Sequence, residues 1–224
     1  MKTLPLWLLL SLLAFPCLSS AQVHRNLGDF SEIRVADRIT LHLVPADENQ
    51  LEITGDEADN VIVNNRQGSL RIRMKTTRFM RGEQTKATLY YKRIDKLTAA
   101  NGALITADQE LEATALALTA NKGGAIDLGI QTKTLNVKAT SGATIELSGN
   151  TDHLQADINS GGSIESRDLT AKNATVSISA GGEMEIRVLD AVEAQVNLGG
   201  NIYIYGNPEI TEKITAGGKV HRMN

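Results

Sequence analysis

The chain has 224 residues, of which 42 % are hydrophobic and 22 % charged, and a formal net charge of −3. That length supports one domain with a real core, and an acidic total on an exported chain points away from nucleic acid. The one Cys, Cys17, falls in the leader described next, which excludes a disulfide or thiolate metal site from the mature protein.

In the leader, Lys2 is a positive n-region, residues 4–15 are an apolar h-region, and Ser19-Ser20-Ala21 is a small-residue cleavage site. So short a run before a cleavage motif predicts a secretory signal peptide over residues 1–21, not a membrane anchor. No second long apolar run follows. Export without a transmembrane segment is therefore expected, to the periplasm, the cell surface or the medium.

Residues 22–97 read as a β-rich section. Alternation marks strands at residues 30–35, 39–43, 51–53, 70–74 and 87–92. Turn signals at Pro45-Ala46-Asp47, Gly55-Asp56 and Gln67-Gly68 separate several of them. The polar loop 76–85 is expected to project.

Charge is unevenly spread. Residues 23–65 hold 3 basic and 9 acidic side chains, 66–96 hold 10 and 2, and 97–224 hold 9 and 15. The basic stretch offers Arg71, Arg73 and Lys75 on the outward face of one strand, then Arg78, Phe79 and Arg81 in the loop. Such a strip suits an acidic polysaccharide or a phosphate-bearing glycolipid. The competing reading is neutralisation against carboxylates elsewhere in the fold.

Residues 98–224 repeat. Glycines 102, 123, 142, 161, 181, 199 and 217 recur at intervals of 18 to 21 residues. Three residues after each comes an aliphatic side chain or Met: Ile105, Ile126, Ile145, Ile164, Met184, Ile202 and Val220. Each marker glycine is followed at once by Ala or Gly, as a tight corner requires. This periodicity predicts an all-β solenoid with coils of about 19 residues, each coil burying its apolar row against the next. One such row of seven side chains contributes on the order of 10–20 kcal/mol before entropy is counted.

The segments Gly28-Asp29-Phe30-Ser31-Glu32-Ile33, Leu51-Glu52-Ile53-Thr54-Gly55-Asp56-Glu57 and Gly68-Ser69-Leu70-Arg71-Ile72 occur in this order. With the glycine corners and the closing stretch from Gly200 through Tyr203 and Tyr205 to Pro208, they resemble the bacterial head GIN domain family. The resemblance implies a right-handed β-helix-like fold, secretion from Gram-negative bacteria and an adhesive role. It brings no catalytic residues. Where the family commonly has Gly-Ser-Gly, this sequence uses corners such as Ser-Gly-Ala, Ser-Gly-Gly and Leu-Gly-Gly.

Four consecutive coils carry a carboxylate four residues after the marker glycine: Asp127, Glu146, Glu165 and Glu185. Thr106 precedes them, and Tyr203 and His221 follow. Like charges opposed across strands repel. Calcium, pairing with the nearby Arg167 and Arg187, or plain solvation would each offset that. Tyr203 and Tyr205 share the outward face and are a candidate stacking platform.

No two histidines lie at ligand spacing, and no nucleophile elbow or phosphate loop occurs. The expectation is a non-enzymatic binding or adhesion module of the cell envelope. No cofactor is needed beyond that candidate calcium. Its partner would be an envelope polymer, glycan or protein, and self-association is open to it. The alternative is a lyase-like enzyme acting on acidic polysaccharide.

Overall fold

The marker glycines are left-handed corners, with φ from +64° to +76°. In four coils the preceding residue shares that conformation: Asn101, Lys122, Ser141 and Ser160. In the last three coils the pair moves on by one residue, and Gly182, Gly200 and Gly218 take the positive φ instead. The small residue after the marker thus has two causes. Gly182, Gly200 and Gly218 serve the dihedral, whereas at Gly124 a Cβ would lie 2.5 Å from the Ala99 carbonyl oxygen.

A computed structural model describes residues 23–223. The signal peptide expected over residues 1–21 lies outside them. The first strands are β1 (Val23–Asn26), β2 (Glu32–Val35), β3 (Thr40–Pro45), β4 (Gln50–Thr54), β5 (Val61–Arg66), β6 (Ser69–Met74), β7 (Lys86–Tyr91), β8 (Lys96–Ala100) and β9 (Leu104–Ala107). Long bent strands follow: β10 (Leu111–Asn121), β11 (Ala125–Thr140), β12 (Thr144–Asn159), β13 (Gly162–Ala180) and β14 (Gly182–Leu198). The chain closes with β15 (Asn201–Tyr205), β16 (Glu209–Ala216) and β17 (Lys219–Met223). No described helix is long and apolar enough to cross a membrane.

The result is a β-solenoid. From β8 and β9 onward every coil pairs in parallel with the next, in the register the sequence repeat implies. Ile126, Ile145, Ile164, Met184, Ile202 and Val220 form one column. Val137, Ala156, Val176 and Ala194 form another, on the segments that lead into the glycine corners. The core is continuous from Phe30 to Ile204. A division at residue 97 falls inside β8, which stacks between β2 and β10.

Stack order departs from chain order. β2 pairs with both β6 and β8, and β3 with both β7 and β9. The coil of residues 32–45 is therefore inserted between the coil of residues 69–91 and that of residues 96–107. Its corner shows how it is held. Asp37 is buried with φ +66°, and its carboxylate accepts the Met74 N–H at 3.2 Å from one neighbour and Asn101 Nδ2 at 3.1 Å from the other.

Beyond β7 the pairing turns antiparallel, through β4 and then β1, and β5 runs antiparallel to β6. Neither β1 nor β5 announces itself by alternation. These strands close the N-terminal end over buried Leu51, Ile53, Val61 and Met74. The 76–85 loop is anchored, contrary to the expectation of a projecting segment: Gly82 N–H bonds the Asp37 carbonyl at 3.1 Å and Thr85 is buried. Thr76, Thr77, Arg81, Glu83 and Gln84 still face solvent, and Phe79 is the loop's one large apolar side chain that does, at 58 % exposure.

Candidate functional site

Three surfaces compete for a function. The first is the carboxylate column. Asp127, Glu146, Glu165 and Glu185 are direct strand neighbours, with Thr106 and His42 on one side and Tyr203 and His221 on the other. His42 sits 3.3 Å from the Thr106 hydroxyl and 3.4 Å from Asp108, while Tyr203 stacks on His221 with ring centroids 4.7 Å apart. Partial burial, then Glu183 and Glu185, push the Tyr203 hydroxyl above its ordinary pKa. A cavity of about 230 Å³ lies over the four carboxylates, with Arg167 and Asp168 at its side. Among the described residues, no three His, Cys, Asp or Glu side chains converge as a metal site.

Arg167 and Arg187 do not pair with the column by ion bridges within 4 Å among the described residues. A bulge in β13 after Glu165 re-aims the strand. Arg167 then lies over the Tyr205 ring, 4.7 Å from its centroid, and Arg187 lies 5.9 Å from it. Arg187 Nε donates to the Arg167 carbonyl at 3.0 Å. Tyr203 and Tyr205 are both half-buried, one under His221 and the other beneath the guanidinium groups, so neither is a bare stacking platform.

The second surface is the basic strip. Arg71 stands beside Arg34 and Asn64 on the β5–β6–β2 wall, away from the column, so the two do not neutralise each other. Several members are already engaged. Arg73 donates to the Met74 carbonyl at 3.1 Å, Lys75 to the Asp59 carbonyl at 2.9 Å, and Arg78 lies 3.5 Å from Glu57. Arg71, Arg81 and Phe79 are exposed, and among the described residues their side chains have no such partners.

The third surface went unread in the sequence. Where β10 to β14 bend from one wall to the next, Ala113, Thr132, Thr151, Ala171 and Val188 stay in register. So do Ala115, Thr134, His153, Asn173 and Ala191. Between these two ladders Thr114, Lys133, Asp152 and Lys172 drop out of pairing, one per coil. Two cavities of about 660 and 670 Å³ lie along this line and share Glu112, Ala113 and Thr114. A third of about 360 Å³ continues it past His153 and Asn173. Together they trace a groove parallel to the solenoid axis.

The groove has a stiff floor and paired charges. Buried Thr132 donates to Thr151 Oγ1 at 3.1 Å, and Thr151 donates to the His153 carbonyl at 3.3 Å. Asn150 donates to Gln131 at 3.2 Å, and Lys172 Nζ lies 2.6 Å from Asp152. That lysine's hydrogen bond holds the Asp152 carboxyl below its ordinary pKa, and Asp152 raises that of Lys172. Leu189, 53 % exposed, is the one large apolar side chain standing free there. The recurrence of Thr114, Lys133, Asp152 and Lys172 at one coil length was the available signal.

Solved structures share the fold. A "putative adhesin" from Bacteroides fragilis superposes with a TM-score of 0.79 at 16 % identity, over 92 % of this chain and 98 % of that one. A "putative adhesin" from Parabacteroides merdae gives 0.74 at 17 %, over 91 % and 96 %. A "putative lipid binding protein" from Parabacteroides distasonis gives 0.74 at 18 %, over 91 % and 96 %. No curated protein matches the chain. Residues 29–208 match the family model described as "Putative auto-transporter adhesin, head GIN domain", and the chain belongs to that family.

Proposed function

We propose that this chain is an exported, non-enzymatic binding module of the bacterial cell envelope, and that a linear polar polymer lies along its axial groove. The groove is the observation that carries this reading. It crosses at least five strands, roughly 20 Å at ordinary strand spacing. It is open along its length, and in its middle stretch Thr114, Thr132, Thr151, Thr170, Gln131, Asn150 and the Asp152–Lys172 pair outnumber the apolar Ala113 and Leu189, a mix of hydroxyl, amide and charge that matches the hydroxyls and the apolar faces of a glycan. Membership of an adhesin-like family supports a binding role at the surface or outside the cell.

One solved neighbour is described as lipid binding. The polar floor formed by Thr132, Thr151, Gln131 and Asn150 favours a sugar chain over an acyl chain for the protein described here. Repeat regularity favours binding over catalysis, because no coil from Gly102 onward carries an inserted loop to roof a cleft.

The test is a glycan and envelope-polymer array, run with calcium and with chelator. Binding to one polymer class, with polymer length unchanged, is the expected result. Lys172→Ala and Asp152→Ala should each weaken it about tenfold. Loss of binding in Arg71→Ala instead would move the site to the basic strip. Loss on chelation would move it to the carboxylate column, and shortened or unsaturated product would make the chain a lyase.

A further inference from the structure

The last coil among the described residues is β16 and β17. Among the described residues β16 pairs only with β14 and β17 only with β15, so the outer edge of each strand is unpaired. Their inward positions continue the buried columns. Ile214 follows Val196, Glu212 follows Ala194, Val220 follows Ile202, and Arg222 follows Ile204. Ile214 is left 44 % exposed. Glu212 and Arg222 are exposed, and neither has a hydrogen bond or ion pair among the described residues.

An inward-pointing charge is one way to blunt an edge strand. Here two opposite charges stand on the two arms of one coil, on either side of the Gly217 corner. Such an end is complementary to itself. Lay β16 antiparallel to β17 of a second copy, with both Gly217 corners on one twofold axis. Ile214 then faces the second copy's Val220, and Glu212 faces the second copy's Arg222. The twofold makes both contacts twice, as an isologous interface must. Inward side chains meet inward side chains throughout, and the unpaired backbone edges close each other.

We infer that the chain associates end to end as a twofold dimer through β16 and β17, a second copy completing the core row that this copy leaves open. The dimer would hold two axial grooves on one continued solenoid, which joins two binding sites without a linker.

Sedimentation velocity on the chain from Gln22, which carries every described residue, tests this. A concentration-dependent dimer is expected. Glu212→Arg and Arg222→Glu should each raise its dissociation constant at least about tenfold. The double exchange, Glu212→Arg with Arg222→Glu, should restore it. Circular dichroism and the melting temperature of diluted monomer should stay unchanged, because both side chains are exposed. A wild type that remains monomeric up to its solubility limit overturns the inference. So does a dimer indifferent to the single reversals, or one that the double exchange fails to rescue.

Discussion

The two ends of this solenoid solve one problem in opposite ways. Both must stop a ladder of parallel strands without leaving an apolar row in water. The N-terminal end reverses chain direction, and β1, β4 and β5 close it antiparallel, so that Leu51 and Ile53 are fully buried. The C-terminal end keeps the coil going and changes the side chains, setting Glu212 and Arg222 where the row had Ala194 and Ile204. A cap built from chain adds buried area, whereas one built from charge only prevents wrong pairing. The first end should therefore behave as core at any concentration, and the second as surface wherever the chain is monomeric.

The largest effect expected is Ile145→Asp. Ile145 lies mid-stack and fully buried, and an unpaired carboxylate there costs more than about 4 kcal/mol. Chemical denaturation should find the protein unfolded or nearly so. Ile214→Asp makes the same change in an inward row at the open end. In the dilute monomer it should cost under about 1 kcal/mol, since that position is partly wet there. Equal losses at the two positions would mean that the last coil is as buried in solution as the middle.

Next comes the closed end. Leu51→Ala removes a side chain with no exposure and should cost about 2–5 kcal/mol, as in any core. A loss below 1 kcal/mol would show β4 to be an ornament and not a cap. Asp37→Asn is smaller and more local. Asn tolerates the left-handed backbone but offers an N–H where Asp37 accepts from both Met74 and Asn101. One buried donor is left unmatched, at about 1–3 kcal/mol, read as a melting shift of roughly 2–4 °C per kcal/mol.

Asp37 also marks where the sequence stops being legible. The repeat from Gly102 onward could be read because each coil is contiguous, so spacing along the chain equals position in the stack. That set the columns, including Asp127, Glu146, Glu165 and Glu185, in their true register. Before Gly102 contiguity fails. Strands 32–35 and 96–100 pair across some sixty residues, and alternation in each says nothing about the other. Patterning gave β2, β3, β4, β6 and β7 as strands, but not the insertion of one coil between two others. The groove was missed for a different reason. Thr114, Lys133, Asp152 and Lys172 recur at one coil length but differ in chemistry, so no shared residue type marks the row, and the bend in each long strand is what makes it a groove.

The smallest effect sharpens the groove. Lys172 and Asp152 are solvent-facing, so their pair adds little to stability, and its pH dependence is the better signature. The signs follow from the two shifts. Asp152 has a folded pKa below its unfolded value, so its contribution is present above the ordinary carboxylate range and fades as pH falls through the lowered pKa. Lys172 has a folded pKa above its unfolded value, so its contribution is complete below the ordinary lysine pKa and fades as pH rises through the raised one. The part of polymer binding that the Asp152–Lys172 pair carries should therefore be flat through neutral pH and fall only in acid and in strong base. Asp152→Asn should remove the acid limb while leaving the melting temperature close to that of the wild type. An acid limb that survives in Asp152→Asn would assign it to another carboxylate. Glu112, which lines the same groove, is then the first place to look, and the column at Glu146 and Glu165 on a different wall the second.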